Sequence, residues 1–178
     1  MVDRIDEVLP QTQCEKCGYA GCRPYAEALV EGDDINKCPT GGNETILALS
    51  KLLSTPFLAL NPKHGKITTQ KVAYIIEDQC IGCMKCIKVC PMDAIIGAPK
   101  LMHTVITRDC SGCDLCIDPC PVDCIIVEKI KSNDAITLRA QSQERYDRKR
   151  LRVTSKKKKI SLNSSSNQSV ANLYKKLL

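Results

Sequence analysis

Twelve of the thirteen cysteines in this chain of 178 residues fall into three sets whose spacing suits metal chemistry. Cys80, Cys83, Cys86 and Cys90-Pro91 are separated by two, two and three residues. Cys110, Cys113, Cys116 and Cys120-Pro121 repeat that pattern without gaps, in the stretches CIGCMKCIKVCPMDA and CSGCDLCIDPCPVDC. Thiolates so spaced wrap a compact iron–sulfur cube from one loop, and the cysteine that closes each pattern ligates the other cube. The expected ligand sets are therefore crossed. One is Cys80, Cys83, Cys86 and Cys120; the other is Cys110, Cys113, Cys116 and Cys90. Two zinc ions on eight cysteines is the competing reading, and the duplicated spacing with both Cys-Pro pairs argues against it. Gly82 and Gly112, each just before a ligand, are expected to let backbone amides approach inorganic sulfur.

The third set is CEKCGYAGC at residues 14–22 with Cys38 following, so that Cys14, Cys17, Cys22 and Cys38 are spaced by two, four and fifteen residues. Structural zinc sites favour two close pairs, and three thiols in nine residues with one distant partner fit a cube better. On spacing alone, iron–sulfur is favoured and zinc stays open. Gly18 and Gly21 offer close backbone approach here, and Pro39 follows the fourth cysteine as Pro91 and Pro121 do. Cys124 stands where the first repeat has Ala94 and is read as a small buried residue beside a cluster. His64 and His103 are expected to be structural, and Tyr19 and Tyr25 to pack around the first site. No Ser–His–Asp set, phosphate loop or dinucleotide fingerprint accompanies the cysteines, so the chain is not expected to be catalytic alone.

These loops need elements to hold them. VAYIIED (72–78) and MHTVITRD (102–109) read as strands entering each repeat, with Ile95-Ile96 and Ile125-Ile126 as short strands leaving it. Each repeat is thus a strand, a cysteine loop, a short helix and a strand. Upstream, Val2, Ile5, Val8 and Leu9 lie at helical spacing before Pro10, and Pro24 suits the first turn of a helix running to about Val30. A third helix is expected from Asn43, as N-cap, to about Leu53. The class is α+β: a small helical four-cysteine domain (1–55), a linker (56–71), and a two-cluster bacterial ferredoxin-like domain with a pseudo-twofold repeat (72–130). A basic tail (131–178) follows, read as a solvated helix passing into a disordered stretch at 161–169.

Composition bounds the rest. With no Trp, one Phe and 3% aromatics, a conventional core would be weak, and small domains then lean on metal or staples. The odd cysteine count, tight spacings and a charged N-terminus argue for ligation in the cytoplasm rather than disulfides. Residues 1–60 carry five Lys and Arg against nine Asp and Glu, and residues 61–130 carry eight of each. Residues 131–178 carry thirteen against three. The basic excess belongs to the tail, which suggests contact with an anionic membrane surface, whereas a nucleic-acid partner is not expected.

LPQTQCEKCGYAGCRPYAEAL (9–29), the GG of CPTGGNE (38–44), CIGCMKCIKVCPMDAIIGAPKLMHTVI (80–106) and CDLCIDPCPVDCI (113–125) together resemble the B subunit of the Rnf (Rsx) electron-transport complex. The resemblance covers about residues 2–128. It implies a third [4Fe-4S] cluster on Cys14, Cys17, Cys22 and Cys38, and a place as cytoplasmic relay in an ion-translocating complex linking NADH and ferredoxin. Members of that family commonly begin with a membrane anchor. This chain is expected to be a short form without one, peripheral on the cytoplasmic face of the inner membrane. Its expected partners are the other Rnf subunits or a soluble redox protein; the alternative is a free polyferredoxin feeding another reductase.

Overall fold

The computed structural model describes residues 1–130, 141–156 and 158. Three helices build the first part: α1 (Val2–Val8), α2 (Cys22–Val30) and α3 (Gly42–Leu53). Their apolar residues recur at helical spacing, and Ile5, Leu9, Tyr25, Ala26, Leu29, Ile46 and Leu49 meet in one buried cluster that also holds Cys17, Cys22 and Cys38. Pro24 sits in the first turn of α2, where its missing N–H costs nothing. The start of α3 differs from expectation. Gly41 is its N-cap, and Asn43 lies inside the first turn, because Gly42 N already donates to Cys38 O and Thr45 N to Gly41 O. Ser54, in the left-handed region at φ 54°, ends the helix.

Residues 54–70 return along the helical part. Asn36 Nδ2 donates to Ala59 O at 2.8 Å, Asn61 N to Asn36 O at 2.9 Å and Thr68 N to Pro39 O at 3.3 Å. The segment is tied down by its own backbone.

The cysteine repeats carry four strands in two pairs. β1 (Lys71–Ile75) runs antiparallel to β4 (Ile125–Lys129), from Lys71↔Lys129 to Ile75↔Ile125. β2 (Ile95–Ile96) pairs with β3 (Thr104–Val105) in the same sense. Each pair therefore joins a strand of one repeat to a strand of the other. The backbone repeats itself as well: Ile76 N donates to Cys124 O as Ile106 N does to Ala94 O, and 3-10 turns at Glu77–Gln79 and Thr107–Asp109 deliver Cys80 and Cys110. The predicted strands are shorter than read because these turns take their last residues. Only the first repeat forms the short helix, α4 (Lys85–Val89); residues 115–119 make a turn instead. Pro119 stands where Val89 does and has no N–H to donate, so the second turn cannot close as a helix.

Gly82 and Gly112 serve the fold in a way their neighbours did not reveal. Both have φ near +70°, and a Cβ would strike backbone: at Gly82 that of Leu101, at Gly112 the carbonyl oxygen of Lys71. Left-handed backbone alone costs a non-glycine residue about 1–2 kcal/mol, and the collision adds to it. Gly112→Ala is expected to lower the stability of the loaded protein by more than about 2 kcal/mol, read as a fall in the thermal midpoint.

A fifth helix, α5 (141–156), was expected to be solvated and instead lies against both parts. Gln143 Nε2 donates to Asp6 Oδ2 at 3.1 Å, and Tyr146 reaches Ala20 O in the helical part. Arg145 Nη2 meets the buried Asp109 at 2.5 Å, Arg152 meets Asp93 at 2.6 Å, and Lys149 bonds the Cys90 carbonyl. Lys16 and Lys71 add a shared bridge to Asp114, each at 2.7 Å. Because removing Arg145 leaves Asp109, among the described residues, with the exposed Arg108 at 3.7 Å as its one ion-pair partner, Arg145→Ala is expected to cost about 2 kcal/mol. Faster proteolytic cleavage within 141–156 would register the loss. The expected disordered stretch at 161–169 lies outside the described residues. Among the described residues, no helix is long and apolar enough to cross a membrane.

Candidate metal centres

The two crossed quartets each line one cavity. Cys80 follows a 3-10 turn, Cys83 lies in the loop, Cys86 sits on α4, and Cys120 comes from the second repeat. Together they line one small cavity with Ile75, Ile81, His103, Val122, Cys124 and Ile125. Cys110, Cys113, Cys116 and Cys90 share a second small cavity with Ala73, Met92, Ala94, Ile95 and Val105, and with Ser111 and Asp114 as its polar members. Strand pairing between repeats is what carries Cys90 and Cys120 across. Among the described residues, no three Cys, His, Asp or Glu side chains converge closely enough to hold a single ion, so the thiols surround a volume rather than a point. The walls are otherwise mainly aliphatic.

The N-terminal four gather differently. Cys22 opens α2, and its N–H donates to Gln13 Oε1 at 2.8 Å; Gln13 in turn donates to Gln11, and Gln11 to Asp6. That buried chain holds Gln11, Gln13 and Glu15 in left-handed backbone at φ 53–60° around Cys14. Strain of this kind persists only where its surroundings over-determine it. The Cys17, Cys22 and Cys38 thiols all feel the charge of Cys14, and Cys22 that of Cys38. Tyr19 and Tyr25 stack beside them with centroids 5.4 Å apart.

Sulfur-directed donors surround all three sets. Ala94 N points at Cys90 Sγ at 3.3 Å, Ala73 N at Cys110 Sγ at 3.5 Å, His103 N at Cys80 Sγ at 3.3 Å and Gly41 N at Cys38 Sγ at 3.3 Å. Thr40 Oγ1 lies 3.3 Å from Cys14 Sγ. Burial, assisted by neighbouring thiols, pushes Cys38, Cys113 and Cys116 up to about 12, and raises Cys17, Cys22, Cys86 and Cys110. Cys120 moves the other way: burial opposes the shift, but the amides of Val122, Cys124 and Asp123 and the Cys124 thiol outweigh it. Without metal most of these thiols are neutral at pH 7, and ligation must expel their protons. Four thiolates around one cavity need a multiply charged centre to compensate them, and amide donors aimed at sulfur suit an iron–sulfur cube. The donor set fits [4Fe-4S].

Two residues near the first cavity carry more than sequence showed. Cys124 is buried, as expected, and its Sγ lies 3.6 Å from Cys120 Sγ. His103, read as structural, is 1% exposed and places Nδ1 3.3 Å from Cys86 Sγ. It sits in the loop between β2 and β3, where no periodicity marks a side chain as inward.

Residues 73–127 match the family model described as "4Fe-4S dicluster domain", and residues 9–40 the one described as "Putative Fe-S cluster". The repeat region is thus similar to 4Fe-4S dicluster domains, with a further cysteine module ahead of it. It is similar to the B subunit of the ion-translocating oxidoreductase complex of Hahella chejuensis, at 62% identity over 106 residues, which is 60% of this chain and 54% of that one. The corresponding B subunit of Alcanivorax borkumensis is 59% identical over 107 residues (60% and 55%), and that of Aeromonas salmonicida 58% over 107 (60% and 57%). Over the matched stretch the chain is a homologue of these B subunits, as the resemblance implied. It spans somewhat over half the length of these curated relatives.

Proposed function

We propose that the chain relays single electrons through three [4Fe-4S] clusters as the B-type subunit of an Rnf-type complex. The ligands are Cys14, Cys17, Cys22 and Cys38 for the first cluster, with the two crossed quartets holding the others. The first would sit in a module of residues 1–55, joined by 56–71 to a pseudo-twofold dicluster domain at 72–130. The observation that carries this reading is that each crossed quartet lines one cavity. Each cluster, when bound, accepts and returns one electron without bond making.

The protein's own part is positional. Strand pairing holds the two quartets together, aliphatic walls keep water from the thiolates, and α5 braces the N-terminal module against the dicluster part. The matched proteins are named as components of an ion-translocating oxidoreductase complex. We infer from that name that the other subunits of such a complex are the partners, with NADH and ferredoxin pools at its ends and a peripheral position on the cytoplasmic face. Part of the basic tail is engaged internally through Arg145, Lys149 and Arg152, so any anionic surface would meet the remaining cations, such as the exposed Arg148 and Arg150.

Hydride chemistry belongs to a partner in this reading. An anaerobic titration with a low-potential one-electron donor is expected to reduce the purified chain while leaving added NAD+ untouched; NAD+ reduction by the chain alone contradicts the relay. Added to membranes holding the other complex subunits, the chain is expected to restore NADH–ferredoxin electron exchange. Activity only with an unrelated soluble reductase would make it a free polyferredoxin.

A further inference from the structure

We propose that His103 donates a hydrogen bond through Nδ1 to the Cys86 thiolate, and so raises the potential of the cluster held by Cys80, Cys83, Cys86 and Cys120. This rests on the ligand reading above and adds to it a residue that tunes one cluster.

The imidazole is held in place from two sides. Its backbone N–H points at Cys80 Sγ at 3.3 Å, and its ring packs on Gly97, where an added Cβ would collide with Cδ2. Nδ1 then lies 3.3 Å from Cys86 Sγ. Nε2 is buried and has no hydrogen-bond partner among the described residues. That settles the tautomer. A proton on Nε2 would bury an unmatched N–H and set the Nδ1 lone pair against a thiolate. A proton on Nδ1 satisfies the sulfur and leaves only an acceptor unpaired, the cheaper of the two.

Among the described residues no imidazole faces the second cavity, although the Ser111 side chain bears on Cys113 there. The donors on Cys90 and Cys110 are main-chain amides, and Ser111 Oγ, which lines that cavity, gives its hydrogen to Thr12 O at 2.9 Å. Ala94 there occupies the position of Cys124, whose thiol faces Cys120 in the first cavity. Reduction adds negative charge to the cluster and its sulfurs, and a donor on a ligating sulfur stabilises that charge, raising the potential. The imidazole therefore raises the potential of the first cluster.

A tenfold strengthening of this bond when the cluster is reduced corresponds to about 59 mV for one electron. In an EPR-monitored redox titration of the fully loaded chain, His103→Leu is expected to lower one dicluster midpoint by about that much and leave the other in place. His103→Asn, which keeps an N–H near the Nδ1 position, should stay close to the native value. Unmoved midpoints, movement of the other cluster, or equal shifts in both variants would overturn the proposal. A measurement on the unsubstituted protein covers a variant that fails to fold: with histidine labelled with 15N at Nδ1 alone, pulsed EPR of the reduced cluster should show coupling to that nitrogen, and its absence overturns the proposal. A chain lacking iron on this quartet would instead overturn the ligand reading itself.

Discussion

Removing iron from the purified chain is expected to unfold residues 72–130. The apolar side chains buried there are Val72, Ala73, Met92, Ala94, Ile95 and Ile125, and the remaining buried apolar positions are cysteines. β2 and β3 are two residues long, so their pairing contributes little alone. In the proposed ligation each quartet draws on both repeats, so that two metal centres would cross-link the segment twice and close the loops. Binding energy in such a site is folding energy. Amide hydrogen exchange under anaerobic chelation is expected to erase protection in β1 and β4, whereas slow exchange of Val72–Ile75 in the iron-free chain would contradict it. The helical part, with Ile5, Leu9, Tyr25, Ile46 and Leu49 wholly or almost wholly buried, should keep more of its protection.

The second large effect is a loss in an unexpected place. Substituting Cys120, in the second repeat, is expected to destroy the cluster held by the first repeat's loop. Cys120 lines the cavity with Cys80, Cys83 and Cys86, while Cys90 lines the other. Cys124 lies close enough to take over as ligand, so Cys120→Ala alone should lose less than the double variant with Cys124→Ala. The double variant is expected to lose about a third of the iron, or to keep a three-iron remnant, with EPR changes matching those of Cys83→Ala. If its spectrum instead matched Cys113→Ala, each repeat would be ligating its own cluster and the crossing would be wrong.

Much of this arrangement is legible in the sequence because duplication and thiol spacing are local signals. The quartets that meet across the repeats can be written down from two Cys-Pro patterns, and α1 and α2 from apolar spacing and Pro24. Other features depend on contacts that spacing does not encode. The docking of α5 rests on Arg145, Gln143 and Arg152 finding Asp109, Asp6 and Asp93, partners 36, 137 and 59 residues away. From sequence these look like one more charge run. His103 needed the β2–β3 loop to bring it to Cys86, and the turn at 115–119 needed Pro119 to be weighed against an otherwise matching repeat. Gly82 and Gly112 were read for their nearness to sulfur, whereas the chain also crosses directly over both.

The most direct test of the central claim is the count of iron, acid-labile sulfide and zinc per chain on protein purified without oxygen. Three four-iron clusters predict about twelve irons, a matching amount of sulfide and no zinc. About eight irons with one zinc would contradict the account, leaving Cys14, Cys17, Cys22 and Cys38 as a structural knot on a two-cluster ferredoxin.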